Sequence, residues 1–169
     1  MQSHGDLGDV VIRAIRADDK GRIVKAFRAL ELRSIYLRFL FPKKELSDDE
    51  LRRLTEPDRA REATLVATVG SGDQETIVAL GRYVADGTSA HIAFTVEEDY
   101  QGRGIASSLL EHLARVAQQN GISQFEAHVL AENRPMLSVL RHSGLPMTES
   151  EKDGIVHASL SLQDGSGCA

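Results

Sequence analysis

Three β-rich runs follow one another in the middle of the chain, "EATLVATV" at 62–69, "TIVALGRYV" at 76–84 and "SAHIAFTV" at 89–96, and they constrain the fold most. They are punctuated by "GSGD" and "DGTS", turn-forming clusters that predict an antiparallel meander. A helix follows. From Gly104 to Asn120 the apolar positions Leu109, Leu110, Leu113, Val116 and Ala117 share one helical face, and Asn120-Gly121 supplies its terminator.

The flanks add alternating elements. "VVIRAI" at 10–15 alternates like a strand, and Ile23, Phe27 and Leu30 recur at helical spacing behind it. A second helical region over 32–55 is broken at Pro42 and restarted by Ser47, with Glu50 three residues later as a capping box; Pro57 marks its end. After the central helix, "FEAHVL" at 125–130 reads as a strand and "NRPMLSVLRHSG" at 133–144 as a short helix ending at Gly144. "ESEKDGIVHASLSL" at 149–162 reads as a hairpin turning at Asp153-Gly154. The expected class is α/β, a mixed and mostly antiparallel sheet flanked by helices. No repeat, low-complexity block or linker divides the chain, so one domain is expected over 1–169, with flexible ends at 1–9 and 163–169.

Composition excludes several function classes. A formal net charge of -5 argues against general nucleic-acid binding. One cysteine, Cys168 in the tail, offers neither an internal disulfide nor metal-ligand spacing, so no metal is expected. No apolar run reaches the roughly 18 residues of a membrane span, and the first ten residues lack the regions of a signal peptide. A soluble, cytoplasmic protein without membrane partners is the expectation.

The segment "DYQGRGIASSLLEHLARVA" at 99–117 places glycines in the first turns of a helix, where each costs roughly 1 kcal/mol relative to alanine. Phosphate binding accounts for that cost, and three designs compete. A P-loop needs a Gly-Lys pair, which occurs nowhere in the chain. A dinucleotide fingerprint needs a third glycine where Ser107 stands and a parallel strand directly before it, whereas "EEDY" intervenes after a meander. The third design is Gln/Arg-x-x-Gly-x-Gly/Ala, matched by Gln101, Gly104 and Ala106, in which backbone N–H groups at a helix start converge on a pyrophosphate.

The order around that segment resembles the GNAT superfamily of N-acetyltransferases. "AHIAFTVEEDYQGRGIASSLL" and "VLAENRPMLSVLRHSG", with "SIYLRFLFPKKELSDDELRRLT" and "EATLVA", look like one branch, the acetyltransferase domain of bacterial protein lysine acetyltransferases that modify acyl-CoA synthetases. The resemblance implies acetyl-CoA as cosubstrate. Gln101, Gly102, Arg103, Gly104, Ala106 and Ser107 would cradle its pyrophosphate, with Arg103 adding charge. It further implies that the backbone of Phe94, Thr95 and Val96 pairs with pantetheine amides as an added strand, and that Asn133 contacts the cofactor arm. Asn133 also suits a plain helix N-cap, and the side chains of 94–96 suit core packing.

Many members of the superfamily place a tyrosine acid where this chain has Leu140, and the closer branch also lacks it. Tyr36, Tyr83 and Tyr100 are assigned structural roles. His112, His142 and His157 read as solvated residues on helix or hairpin faces. His91 and His128 differ, because they sit on the two strands that would flank the acetyl group. The branch carries a glutamate base at the position of His91, so His91 is the candidate general base and His128 the second candidate. The implied reaction is acetyl transfer to a lysine ε-amine by direct attack. A small amine or amino acid as acceptor, and a non-catalytic acyl-CoA sensor, are the alternatives.

Overall fold

A computed structural model of the chain describes residues 10–29, 47–56, 61–97, 100 and 104–162. Seven strands form one sheet in the order β1-β2-β3-β4-β5-β7-β6. β1 (Val11–Ala14) leads through a 3-10 turn (Ala17–Asp19) into α1 (Lys20–Ala29). α2 (Asp48–Thr55) precedes the meander of β2 (Glu62–Val69), β3 (Thr76–Asp86) and β4 (Ser89–Val96), and α3 (Ile105–Gln119) follows it. β5 (Gln124–Leu130), α4 (Arg134–Arg141), β6 (Met147–Lys152) and β7 (Ile155–Ser161) complete the order. All strand pairs are antiparallel except β4 with β5.

Sequence reasons for these elements are visible one by one. Ser47 accepts from the Glu50 N–H while the Glu50 side chain accepts from the Ser47 N–H, so the expected capping box starts α2. Asp153 and Gly154 both have positive φ, 54° and 80°, as a tight hairpin turn with the right twist requires. Gly121, at φ 80°, ends α3 where expected. α4 stops at Arg141, short of the expected Gly144: the Ser143 N–H closes a tighter bond to the Leu140 carbonyl three residues back, and Gly144 follows in the left-handed region at φ 85°. Leu30, Tyr36, Pro42 and Pro57 lie outside the described residues.

The core is divided by the sheet. On one face Phe94, Phe125, Ala127 and Leu160 pack with Leu109, Leu113 and Leu140 of α3 and α4. On the other, Val66, Ile77 and Leu80 pack with Ile23 of α1 and Leu51 of α2. Gly81 is bare for a steric reason: a Cβ there would sit 2.9 Å from two Phe94 ring atoms and 3.2 Å from Leu113. Tyr83 is buried with its hydroxyl accepting from the Asn120 amide at 2.9 Å, a structural role as expected.

Candidate active site

The sheet opens in its middle. β3 pairs with β4 along its whole length, from Ser89 to Val96, but β5 pairs with β4 only at Ser89↔Gln124, Ala90↔Phe125 and His91↔Glu126. From residue 92 onward the two strands share no ladder, and a cleft lies between them. Ile92, Phe94, Ala127, His128 and Val129 line it, with Asn133, Met136 and Leu140 from the α4 segment. Two facing edges of backbone, where strands would otherwise exchange hydrogen bonds, flank an apolar floor.

At the diverging end of β4 the chain turns into α3, and its start is built differently from those of α2 and α4. Gly104 is the N-cap in the left-handed region, φ 85° and ψ 7°, and gives no side-chain cap; the first turn carries no acid. α2 has its capping box and α4 has Asn133, whose Oδ1 accepts from the Met136 N–H at 3.3 Å. The first N–H groups of a helix have no partner within it, and their aligned dipoles favour an anion. Ala106 and Ser107 sit in that first turn, half-buried and exposed respectively. Gln101, Gly102 and Arg103 lie outside the described residues.

On the sheet face away from α3, His91 and His128 come together. Their ring centroids are 5.8 Å apart with planes within 16°. A third imidazole joins them, since His157 on β7 stacks on His128 at 4.6 Å and 17°. His157 is therefore not the merely solvated residue expected from sequence: its Nε2 lies 2.5 Å from Glu126 Oε1, which also accepts from Ser159 Oγ at 2.9 Å. Burial pushes the Glu126 carboxyl up, but hydrogen bonds from Gln124, Ser159 and His157 outweigh it and hold the group below the ordinary carboxylate value. Partial desolvation, then His157 and His91, hold His128 below the ordinary imidazole value against an upward pull from Glu126. His112 and His142 each bond a carbonyl one turn back in their own helices.

Phe94, His128 and Asn133 thus line the cleft, Thr95 lies on the opposite strand face from Phe94, and Val96 ends β4. His91 stands at the last paired position before the divergence. Sequence reasoning passed over Glu126 and His157. The signal existed in part, because alternation along "FEAHVL" puts Glu126 and His128 on one face. The β5–β7 register that sets His128 opposite His157 is a tertiary fact.

Residues 29–145 match the acetyltransferase (GNAT) family. Acetyltransferase PA5475 of Pseudomonas aeruginosa is 32% identical over 138 residues, 80% of this chain and 74% of that protein. Acetyltransferase Pat of Mycolicibacterium smegmatis is 38% identical over 97 residues, 56% of this chain and 28% of that longer protein. The GNAT domain of S. lividans PAT has the same fold at a TM-score of 0.84, with 34% identity and 92% of each chain covered. The divergent strands, the glycine-capped helix and these likenesses agree: the chain belongs to the GNAT acetyltransferase family and is similar to the domain found in bacterial protein acetyltransferases.

Proposed function

We propose that the chain transfers acetyl from acetyl-CoA to a protein lysine ε-amine, on a target resembling an acyl-CoA synthetase, by direct attack in a ternary complex. The observation that carries this reading is the divergence of β4 from β5 after His91, beside a helix start with no side-chain cap. Family membership supports N-acetyl transfer, and likeness to Pat supports a protein acceptor.

The residues present fit acetyl-CoA. The N–H groups of the first turn after Gly104, including those of Ala106 and Ser107, suit a pyrophosphate, and the motif alone assigns Gln101, Gly102 and Arg103 to the same role. The β4 edge at Phe94, Thr95 and Val96 suits the amides of a pantetheine arm, and Asn133 forms part of the facing wall. When bound, acetyl-CoA supplies an activated thioester. His91 takes a proton from the acceptor amine as the C–N bond forms and the C–S bond breaks, directly or through one water, with His128 beside it as the second candidate. Only about one free lysine amine in a thousand is neutral at pH 7.4, which is why a proton acceptor helps. Leu140, buried where many members of the superfamily keep a tyrosine, offers no acid, and a coenzyme A thiolate is a good enough leaving group not to require one.

Thiol release from acetyl-CoA, with mass spectrometry of the acceptor, tests the reading. A folded acyl-CoA synthetase should gain acetyl on a specific lysine, and a short peptide around that lysine should react slowly. No acetyl-lysine with ready turnover of a free polyamine would replace the protein acceptor by a small amine. Acetyl-CoA binding without thiol release for any acceptor would make the domain a sensor.

A further inference from the structure

The imidazole row on the open sheet face crosses three strands, with His91 on β4, His128 on β5 and His157 on β7. Only His91 and His128 have a place in the reaction above. The row nevertheless continues to His157 and ends on a carboxylate that is itself held from several sides. Glu126 is half-buried and accepts from His157, Ser159 and Gln124 together.

This arrangement does not resemble a metal-ligand set. Stacked rings present faces to one another and do not converge their nitrogens, and no group of three or more candidate ligands among the described residues could hold a metal ion. It does resemble an orienting device. A carboxylate on Nε2 requires that nitrogen to carry the proton, which selects one arrangement of the ring and fixes its plane. With planes within 17° of one another, the plane of His157 limits the plane of His128, and His128 limits His91.

We propose that Glu126 and His157 are positioning residues for the proton-accepting imidazoles: Glu126 fixes the ring of His157, and His157 backs His128, the imidazole that lines the cleft. The proposal rests on the reading of His91 and His128 as proton acceptors and deepens it. A group held in its reactive geometry spares the ordering cost at the moment of reaction. Partial burial first, and then the two flanking imidazoles, lower the affinity of His128 for a proton, which suits a ring that must start neutral to accept one.

The test uses the full chain with selectively 15N-labelled histidine, and long-range proton–nitrogen spectra read each ring's tautomer without any acceptor. Wild-type His157 should show the Nε2-protonated form. Glu126→Gln should abolish that preference and shift the His128 ring signals. With the acceptor that turns over, kcat should fall about fivefold while the KM for acetyl-CoA stays within about twofold. His157→Ala should lower kcat as much, and the double variant should be no slower than His157→Ala alone, because both act through one ring. Unmoved His128 signals in both variants would overturn the proposal. So would losses that multiply in the double variant, or a raised KM with unchanged kcat. Failure of the base reading shows itself separately, as full activity in both His91→Gln and His128→Gln.

Discussion

Asp19 sits at the turn between β1 and α1 with no exposed surface, and its replacement by asparagine makes a quantitative test of what holds that face of the sheet. Its carboxylate accepts from Arg13 Nη1 and Nη2 at 2.8 Å each, from Arg22 Nη1 at 2.9 Å and from the Arg16 N–H at 2.7 Å. Burial pushes the carboxyl up, but the Arg13 fork, the Arg16 N–H and Arg22 outweigh it and bring the pKa from 3.8 to about 2. That difference corresponds to roughly 2–3 kcal/mol favouring the folded, ionised form at neutral pH. Glu75 also pairs with Arg13, at 3.0 Å, so the substitution does not strip Arg13 of every carboxylate and the loss should stay below the roughly 3–5 kcal/mol of an orphaned buried charge. The folded-state pKa is depressed, so the contribution is complete above about pH 4 and disappears as pH falls through about 2. Urea unfolding of wild type and Asp19→Asn across that range should show a gap of about 2–3 kcal/mol at pH 7 that shrinks to roughly a third near pH 2.5. Thermal scans at pH 7 should show a Tm lower by about 5–10 °C. A gap that stays constant from pH 7 to pH 2.5, or one below about 1 kcal/mol at pH 7, would refute the argument.

Gly104→Asp should abolish acetyl-CoA binding in a protein that still folds, since a carboxylate would stand where the helix start favours an anion; its side chain meets no neighbour, and Gly104→Asn, equally strained at φ 85° but uncharged, should bind more tightly than Gly104→Asp, whereas wild-type affinity of Gly104→Asp by calorimetry would remove the cradle. His91→Gln should lower kcat/KM by about 10²-fold with acetyl-CoA affinity nearly unchanged, and His91→Glu should recover part of it; retention of activity within about threefold would move the base to another residue.

The scaffold was largely legible because its signals are local. The meander shows in three alternating runs, α2 in the Ser47–Glu50 box, the last hairpin in Asp153-Gly154, and α3 in a single apolar face. Each depends on residues within one or two turns of one another. Of the candidate site, the sequence offered only what residue type carries: glycines before α3, and one histidine on each of β4 and β5, which the fold brings to neighbouring strands. Glu126 and His157 escaped because they lie 31 positions apart and meet only through the β5–β7 register. The Asp19 network escaped for another reason: Arg13, Arg16 and Arg22 lie within six positions of it, but charged residues that close together read as a solvated turn, and the burial of the carboxylate and the Glu75 partner of Arg13, 62 positions away, come from tertiary packing. Long-range pairing has no local sequence signature.

The parting of β4 from β5 bears on how such a site can change over time. Much of what borders the cleft is main chain, and every residue except proline presents the same N–H and C=O groups whatever its side chain. Phe94 and Ile92 answer to the core behind them, while the strand edge in front of them answers only to strand geometry. Substitutions can therefore accumulate along the cleft without erasing it, provided they respect packing on the buried face. A chain about a third identical to its relatives can keep the same parting of strands while the side chains around it change.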